Sequence, residues 1–245
     1  MTTTLMVSVK GEQAQKGEET LVTRRRYGGV PRSDTGRAEA FSDGVLAIVI
    51  TLLVLHLKPP PIEAGRLLGQ LLNQWPTYLA YVASYLYIAV VWLNHKAAFQ
   101  RIKVMTRGLH WANLGVLFST ALLPWPTALV SEAIAEANPP DDRVAVGLYA
   151  IIGATLWVSW MIFFHVLFRH PELLEDSVDE TFFHGERLRA FVGALLYAAA
   201  GLVGVLTIPA LALAIFVLLP LFYGITSHGY AQLKVLGRRR LPPKR

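Results

Sequence analysis

Six long apolar blocks alternate with short polar segments along the 245-residue chain. Each block holds roughly 20 residues, enough at the helical rise to cross the ~30 Å hydrocarbon core of a bilayer. We therefore predict an all-α polytopic membrane protein with six transmembrane helices, near residues 38–57, 75–93, 109–130, 144–167, 188–207 and 208–230. Only Thr207, Ile208 and Pro209 separate the last two blocks, which predicts a tight hairpin. Five spans with one broken helix is the alternative.

The polar segments at the two ends of the chain set the domain boundaries. Residues 1–36 are predicted to be a disordered cytoplasmic tail, residues 37–230 a six-helix transmembrane domain, and residues 231–245 a basic cytoplasmic tail. No apolar core of the signal-peptide type precedes a small-residue cleavage site in the first segment. The first apolar block is therefore expected to be retained as a helix.

Lysine and arginine predict the orientation, because these residues favour the cytoplasmic loops of membrane proteins. All of them except Lys58, Arg66 and Arg143 lie in the two tails or at the loops between blocks two and three and between blocks four and five. No span interior carries a basic residue. Six spans with both termini in the cytoplasm place each of these segments on the expected side.

Composition excludes several other classes of function. Hydrophobic residues make up 53% of the chain and charged residues only 16%, well below the share in soluble domains. The chain has no cysteine, so disulfides, thiolate nucleophiles and cysteine-ligated metals are excluded. The net charge of +6 is accounted for by membrane topology, and no surface with interleaved basic and aromatic residues indicates nucleic-acid binding.

One acidic residue, Asp43, lies clearly within a predicted span. Hydrocarbon does not solvate a carboxylate, so such a residue is expected to face the interior of the bundle and to have partners. On a helix, Asp43 points about 140° and Ser42 about 120° away from Ile48. Both are predicted to hold the first three helices together rather than to bind an ion. Hydrogen-bonding residues at the same depth are His95, Asn94, His110, Trp111 and Asn113.

A second face of the first helix carries an apolar stripe. Gly44, Ile48, Leu52 and Leu55 follow helical spacing, and Thr51 lies beside them. The stripe either packs against a neighbouring helix or lines a pore whose narrowest part is apolar. Spacing alone favours packing.

The beginning of the first helix carries a specific motif, in which Arg37 stands four residues before Phe41, Ser42 and Asp43. Three further sets of residues accompany this motif. They are Gly44, Val45, Leu46, Ala47, Ile48, Thr51, Leu52 and Leu53 in the first block; Trp92, Asn94 and His95 at the end of the second; and Asn113, Leu122, Leu123 and Pro124 in the third. With these residues the chain resembles the bacterial, single-repeat members of the transmembrane protein 175 family of lysosomal and endosomal potassium channels.

The resemblance implies a homotetramer whose first helices surround one central path for potassium ions in the cell membrane. It implies that Ile48 forms an apolar constriction, that Leu52 and Leu55 narrow the path further, and that Thr51 favours potassium. Selectivity would be modest, and no cofactor or metal is expected apart from the permeant potassium ion. An ion that loses water at an apolar ring is penalised less if it holds that water weakly, as potassium does.

Two other classes of function remain as alternatives. A proton-coupled secondary transporter would use Asp43 as the coupling site, but such folds usually show internal repeats, and none is evident here. An intramembrane enzyme would need Ser42, Asp43 and His95 in one cavity, although adjacent residues point about 100° apart on a helix. The histidines show no HExxH pattern, so a metal site is not predicted. We therefore expect a channel and not an enzyme.

Overall fold

The computed structural model describes residues 32–60, 63–136, 138–175, 178 and 180–226. Within these ranges the chain is helical, and its only strand-like contact is an antiparallel bridge between Ile102 and Leu174. The predicted all-α membrane fold is confirmed for this part of the chain. Residues 1–31 of the predicted N-terminal tail and all of the predicted C-terminal tail, 231–245, lie outside the described residues.

The described residues form eight α-helices. They are α1 (Arg32–Leu52), α2 (Leu67–Asn73), α3 (Trp75–Phe99), α4 (Arg107–Ala121), α5 (Pro124–Glu136), α6 (Pro139–Arg169), α7 (Glu180–Leu206) and α8 (Pro209–Thr226). Short 3₁₀ turns, Leu53–His56 and Pro171–Leu173, follow α1 and α6.

Five helical segments are long and apolar enough to cross a membrane. They cover Asp34–His56, Trp75–Phe99, Arg107–Glu136, Pro139–Arg169 and Phe183–Leu206. The sixth predicted span corresponds to α8, a shorter apolar helix that packs against α3 and α7. The tight connection predicted before Pro209 is present, since only two residues separate α7 from α8.

The boundaries of three predicted spans differ from the structure. The first helix begins at Arg32 and so includes residues 32–36, which the sequence pattern assigns to the tail. The third span is divided between α4 and α5 because Pro124 has no N–H to continue the helical hydrogen bonds. The fourth, α6, has 31 residues and extends about 46 Å, which is longer than the hydrocarbon core.

Where α6 and α7 pack together, each helix places a large aromatic side chain against a glycine of the other helix. A Cβ at Gly153 of α6 would lie 2.5 Å from Cδ1 of Tyr197 in α7, and a Cβ at Gly193 of α7 would lie 2.5 Å from Cδ2 of Trp157 in α6. Small residues let helix backbones approach closely in membranes, where van der Waals packing drives association. Trp157 and Trp160 are both buried.

Gly193→Ala is expected to lower the stability of the protein by about 1–3 kcal/mol, because the added methyl group overpacks the Trp157 ring. Thermal unfolding of the detergent-solubilised protein measures the change. Gly185→Ala is the matched control, since Gly185 lies in the same helix and no atom would be within 4 Å of its new Cβ. Equal melting temperatures for the two variants would contradict the packing argument.

Helix α1 lies on one side of the subunit. It packs mainly against α3 and α4, whereas α7 packs mainly against α6 and α8. Helices α1 and α7 therefore have different neighbours within the subunit.

Candidate functional site

Helix α1 has a buried face and an exposed face. Leu46, Val49 and Leu53 are almost fully buried against the rest of the subunit. Ile48, Leu52 and Leu55 are 61%, 42% and 67% exposed. Among the described residues, no helix of the same subunit therefore covers the predicted stripe, which argues against one of the two interpretations left open by its spacing.

Thr51 lies on the exposed side of α1 next to the stripe. Its hydroxyl group donates to the backbone carbonyl of Ile48 at 2.8 Å or of Ala47 at 3.0 Å. Because the proton is directed back to the helix, the lone pairs of the hydroxyl oxygen remain available at the surface. An oxygen atom in this state can coordinate a cation through its lone pairs.

A buried hydrogen-bond chain lies behind the exposed stripe and connects α3, α4 and α1. His95 Nε2 is 2.9 Å from Oδ1 of Asn113, Nδ2 of Asn113 donates to Oγ of Ser42 at 2.9 Å, and Ser42 donates to the Ala38 carbonyl at 2.8 Å. All three side chains are buried. The network predicted for Ser42, His95 and Asn113 is therefore present.

The order of donors fixes the tautomer of His95. The Ser42 hydroxyl uses its proton on a carbonyl group, so it accepts from the Asn113 amide, and Oδ1 of Asn113 must then accept from His95. The proton consequently lies on Nε2. Nδ1 of His95 is buried and has no partner among the described residues.

Asp43 does not belong to this chain of hydrogen bonds. Its carboxylate accepts from the indole N–H of Trp92 at 3.0 Å, and the ammonium group of Lys96 lies 5.4 Å from the Trp92 ring centre. Trp92 is not among the partners predicted for Asp43. Trp92 lies three residues before His95, so helical periodicity places both on the side of α3 that faces α1.

Several residues of the motif and of the predicted network do not join this chain of hydrogen bonds. Trp111 is 65% exposed and Phe41 is 56% exposed, and Arg37 is exposed as well. Asn94 is half-buried, and its side chain makes no hydrogen bond to any of the described residues. Arg37 and Phe41 instead line an open recess of about 330 Å³ together with Asp34, Ala38, His110, Asn113 and Leu114. Nε2 of His110 is 3.5 Å from Oδ2 of Asp34, which lies nine residues before Asp43 on α1. His110 therefore also lies apart from Asp43.

The loop between α3 and α4 contacts both the start of α1 and the 3₁₀ turn after α6. The Thr35 hydroxyl is 3.5 Å from the Lys103 carbonyl, and the Lys103 N–H donates to the Leu173 carbonyl at 2.7 Å. In the same loop, burial lowers the pKa of the Arg101 guanidinium, and the Glu186 carboxylate opposes that shift. The start of α1 is therefore held by a backbone-paired loop.

No group of three or more histidine or acidic side chains among the described residues is arranged to hold a metal ion. The chemistry available at α1 is that of an exposed apolar surface with one hydroxyl oxygen, held in place by buried neutral hydrogen bonds and one carboxylate.

Comparisons of sequence and of structure both find proteins that are named as ion channels. The family model for the endosomal/lysosomal potassium channel TMEM175 matches residues 37–124, which include α1, α3 and α4. A potassium channel of Streptomyces collinus is 37% identical over 196 residues, covering 80% of this chain and 94% of that protein. The human endosomal/lysosomal proton channel TMEM175 is 29% identical over 233 residues, and the match covers 45% of its length.

A solved structure is also similar over most of the chain. The crystal structure of a lysosomal potassium-selective channel TMEM175 homolog from Chamaesiphon minutus has a TM-score of 0.69 and 32% sequence identity. The match covers 80% of this chain and 99% of that one.

Proposed function

The chain belongs to the TMEM175 family of potassium channels, and on that premise we propose that it conducts potassium ions through a path lined by α1. The observation that carries the proposal is the exposed apolar stripe of Ile48, Leu52 and Leu55, which no helix in the described part of the subunit covers. The protein is an ion channel and not an enzyme.

The stripe supplies a physical basis for preferring potassium. A cation that passes a ring of isoleucine or leucine side chains gives up water without receiving carbonyl oxygens in exchange. Potassium holds its water less tightly than sodium, so its barrier is lower. Modest selectivity follows, and the Thr51 oxygen offers a partial replacement for lost water next to the ring.

One α1 helix does not enclose a path, so several copies are needed. We infer a homotetramer in the lipid bilayer, with the four exposed stripes facing a shared axis and the buried faces held by α3 and α4. The support for this arrangement is that α1 carries its apolar stripe on the side opposite its contacts within the subunit.

The proposed roles of the motif residues follow from their contacts. Ser42, His95 and Asn113 fix the rotation of α1 about its axis, so that Ile48 faces the path. Asp43 holds the same helix to α3 through Trp92 and does not bind the ion. No cofactor is required, and potassium is the only ion that binds, transiently.

The proposed location is the cell membrane, with both termini in the cytoplasm. The support is the distribution of lysine and arginine, which is concentrated in the tails and at the loops after α3 and α6. In this orientation the anchoring chain of Ser42, Asn113 and His95 lies near the cytoplasmic end of the path.

Flux measurements with the full-length protein in liposomes test the function. A potassium gradient with a membrane-potential dye should report potassium current that exceeds sodium current and that does not depend on a proton gradient. Proton flux is measured in parallel, because the human relative is named a proton channel. Potassium movement that occurs only in exchange for protons would instead support the proton-coupled transporter, and liposomes without potassium flux would contradict the proposal.

A further inference from the structure

Imidazole and guanidinium side chains meet near Phe168 where α6 ends and α7 begins. Arg187 and His184 contact the Phe168 ring, His165 contacts Arg187, and Arg169 is the next residue along α6. His165 and Arg169 lie in the last turns of α6, and His184 and Arg187 lie in the first turns of α7. Nη1 of Arg187 is 3.5 Å from Nδ1 of His165. The guanidinium carbon of Arg187 lies 4.5 Å from the ring centre of Phe168, which His184 contacts edge-on at 5.9 Å.

The positive charge of this cluster is not neutralised within the described part of the chain. No carboxylate there forms an ion pair with Arg169 or Arg187, although Arg189, two residues further along, pairs with Glu186 at 2.9 Å. The Phe168 ring holds the Arg187 guanidinium by a cation–π contact and so orients its planar donor fork. A planar fork of this kind matches the oxygens of a phosphate group.

Exposed apolar side chains continue from the cluster along both helices. On α7, Leu188, Phe191 and Leu195 are 57%, 47% and 53% exposed and lie on the same side as Arg187. On α6, Ile162 and Val158 extend in the same way from His165 and are also exposed. The cationic end thus lies at the head of two apolar stripes that run towards the middle of the membrane.

This surface lies away from the ion path. Helix α7 contacts mainly α6 and α8, whereas α1 contacts mainly α3 and α4. The outer side of α6 and α7 is therefore the side of the subunit that meets lipid when the α1 helices meet at a shared axis.

We propose that the cluster of His165, Phe168, Arg169, His184 and Arg187 binds the phosphate headgroup of an anionic phospholipid, whose acyl chains lie along the stripes of α6 and α7. Charge complementarity selects an anionic over a zwitterionic lipid, because an unpaired guanidinium near the membrane surface attracts net negative charge. The site lies outside the conducting machinery and adds a lipid preference to the channel.

Native mass spectrometry of the full-length protein in detergent tests the site. The protein is titrated separately with dioleoyl-phosphatidylglycerol and with dioleoyl-phosphatidylcholine, which share acyl chains and differ in headgroup charge. The wild-type protein should bind phosphatidylglycerol at least about fivefold more tightly, and Arg187→Gln or Arg169→Gln should remove about fivefold of that affinity. Arg187→Lys should retain part of it, because the charge remains without the fork.

Arg143→Gln is the matched control, since Arg143 is an exposed arginine near the opposite end of the same helix α6. Its phosphatidylglycerol affinity should equal that of the wild type. Equal binding of the two lipids by the wild-type protein would overturn the proposal, as would an equal loss in the Arg143 and Arg187 variants. Potassium flux in phosphatidylcholine liposomes, measured separately, keeps a failure of this site distinct from a failure of channel function.

Discussion

Ile48→Asn should lower the ratio of potassium to sodium flux by roughly tenfold, which corresponds to about 1.4 kcal/mol in the difference between the two ions' barriers. Asparagine places a polar amide where the ion otherwise meets only hydrocarbon, and the amide oxygen replaces part of the water that sodium holds tightly. The barrier for sodium therefore falls more than the barrier for potassium, and the total current should rise. The measurement is ion flux in liposomes with reversed gradients of the two ions.

Val54→Asn is the matched control for this experiment. Val54 is 51% exposed and lies near the same end of α1, but it is outside the stripe. The same polar side chain at this position should leave the flux ratio unchanged. If Ile48→Asn folds and assembles but retains the wild-type ratio, Ile48 does not line the constriction and the stripe faces lipid.

Asn113→Leu should destabilise the protein by about 2 kcal/mol or more. Leucine has the same branched skeleton of heavy atoms as asparagine but no amide, so the replacement breaks two buried hydrogen bonds at once. It leaves Nε2 of His95 and one lone pair of Ser42 without partners. Unfolding followed by tryptophan fluorescence gives the change in stability, and size-exclusion chromatography gives the change in assembly.

Asn94→Ala serves as the comparison for Asn113→Leu. Asn94 is a half-buried neighbour of His95 whose side chain has no hydrogen-bond partner in the described part of the chain, so its loss should cost little stability. An Asn113→Leu protein with unchanged unfolding and unchanged assembly would show that the buried chain does not anchor α1. Other contacts of α1 would then have to fix the orientation of Ile48.

The sequence was sufficient to predict the helical fold, because span-length apolar blocks have few folded alternatives in a membrane. Helical periodicity predicted an apolar stripe with Ile48 on one face of the first helix and Ser42 on another. Periodicity did not distinguish a stripe that packs within the subunit from one that faces outward, since both produce the same spacing. The contacts of the other helices were needed to separate them.

The pairing within the polar network could not be predicted in the same way. The sequence gathers several donors near the depth of Asp43, but side-chain direction on α3 and α4 decides which of them reach α1. That direction gives Asp43 the indole of Trp92 and gives Ser42 the amide of Asn113. Trp111 lies two residues before Asn113, so the same rotation that buries Asn113 exposes Trp111.

The break between α4 and α5 had a visible signal in Pro124 and Pro126, yet the apolar composition on both sides concealed it. Hydropathy measures the cost of leaving water and does not register a missing N–H. The cationic cluster at the ends of α6 and α7 was hidden for a different reason. Its members are separated by the loop after α6, and only the antiparallel packing of the two helices brings them together.

The reciprocal contacts between α6 and α7 have an evolutionary consequence. Gly153 accommodates Tyr197 and Gly193 accommodates Trp157, so the volume at each glycine position is set by the ring opposite. Among relatives of this protein, a larger residue at either glycine should occur together with a smaller partner. The four positions should therefore vary as two linked couples rather than independently.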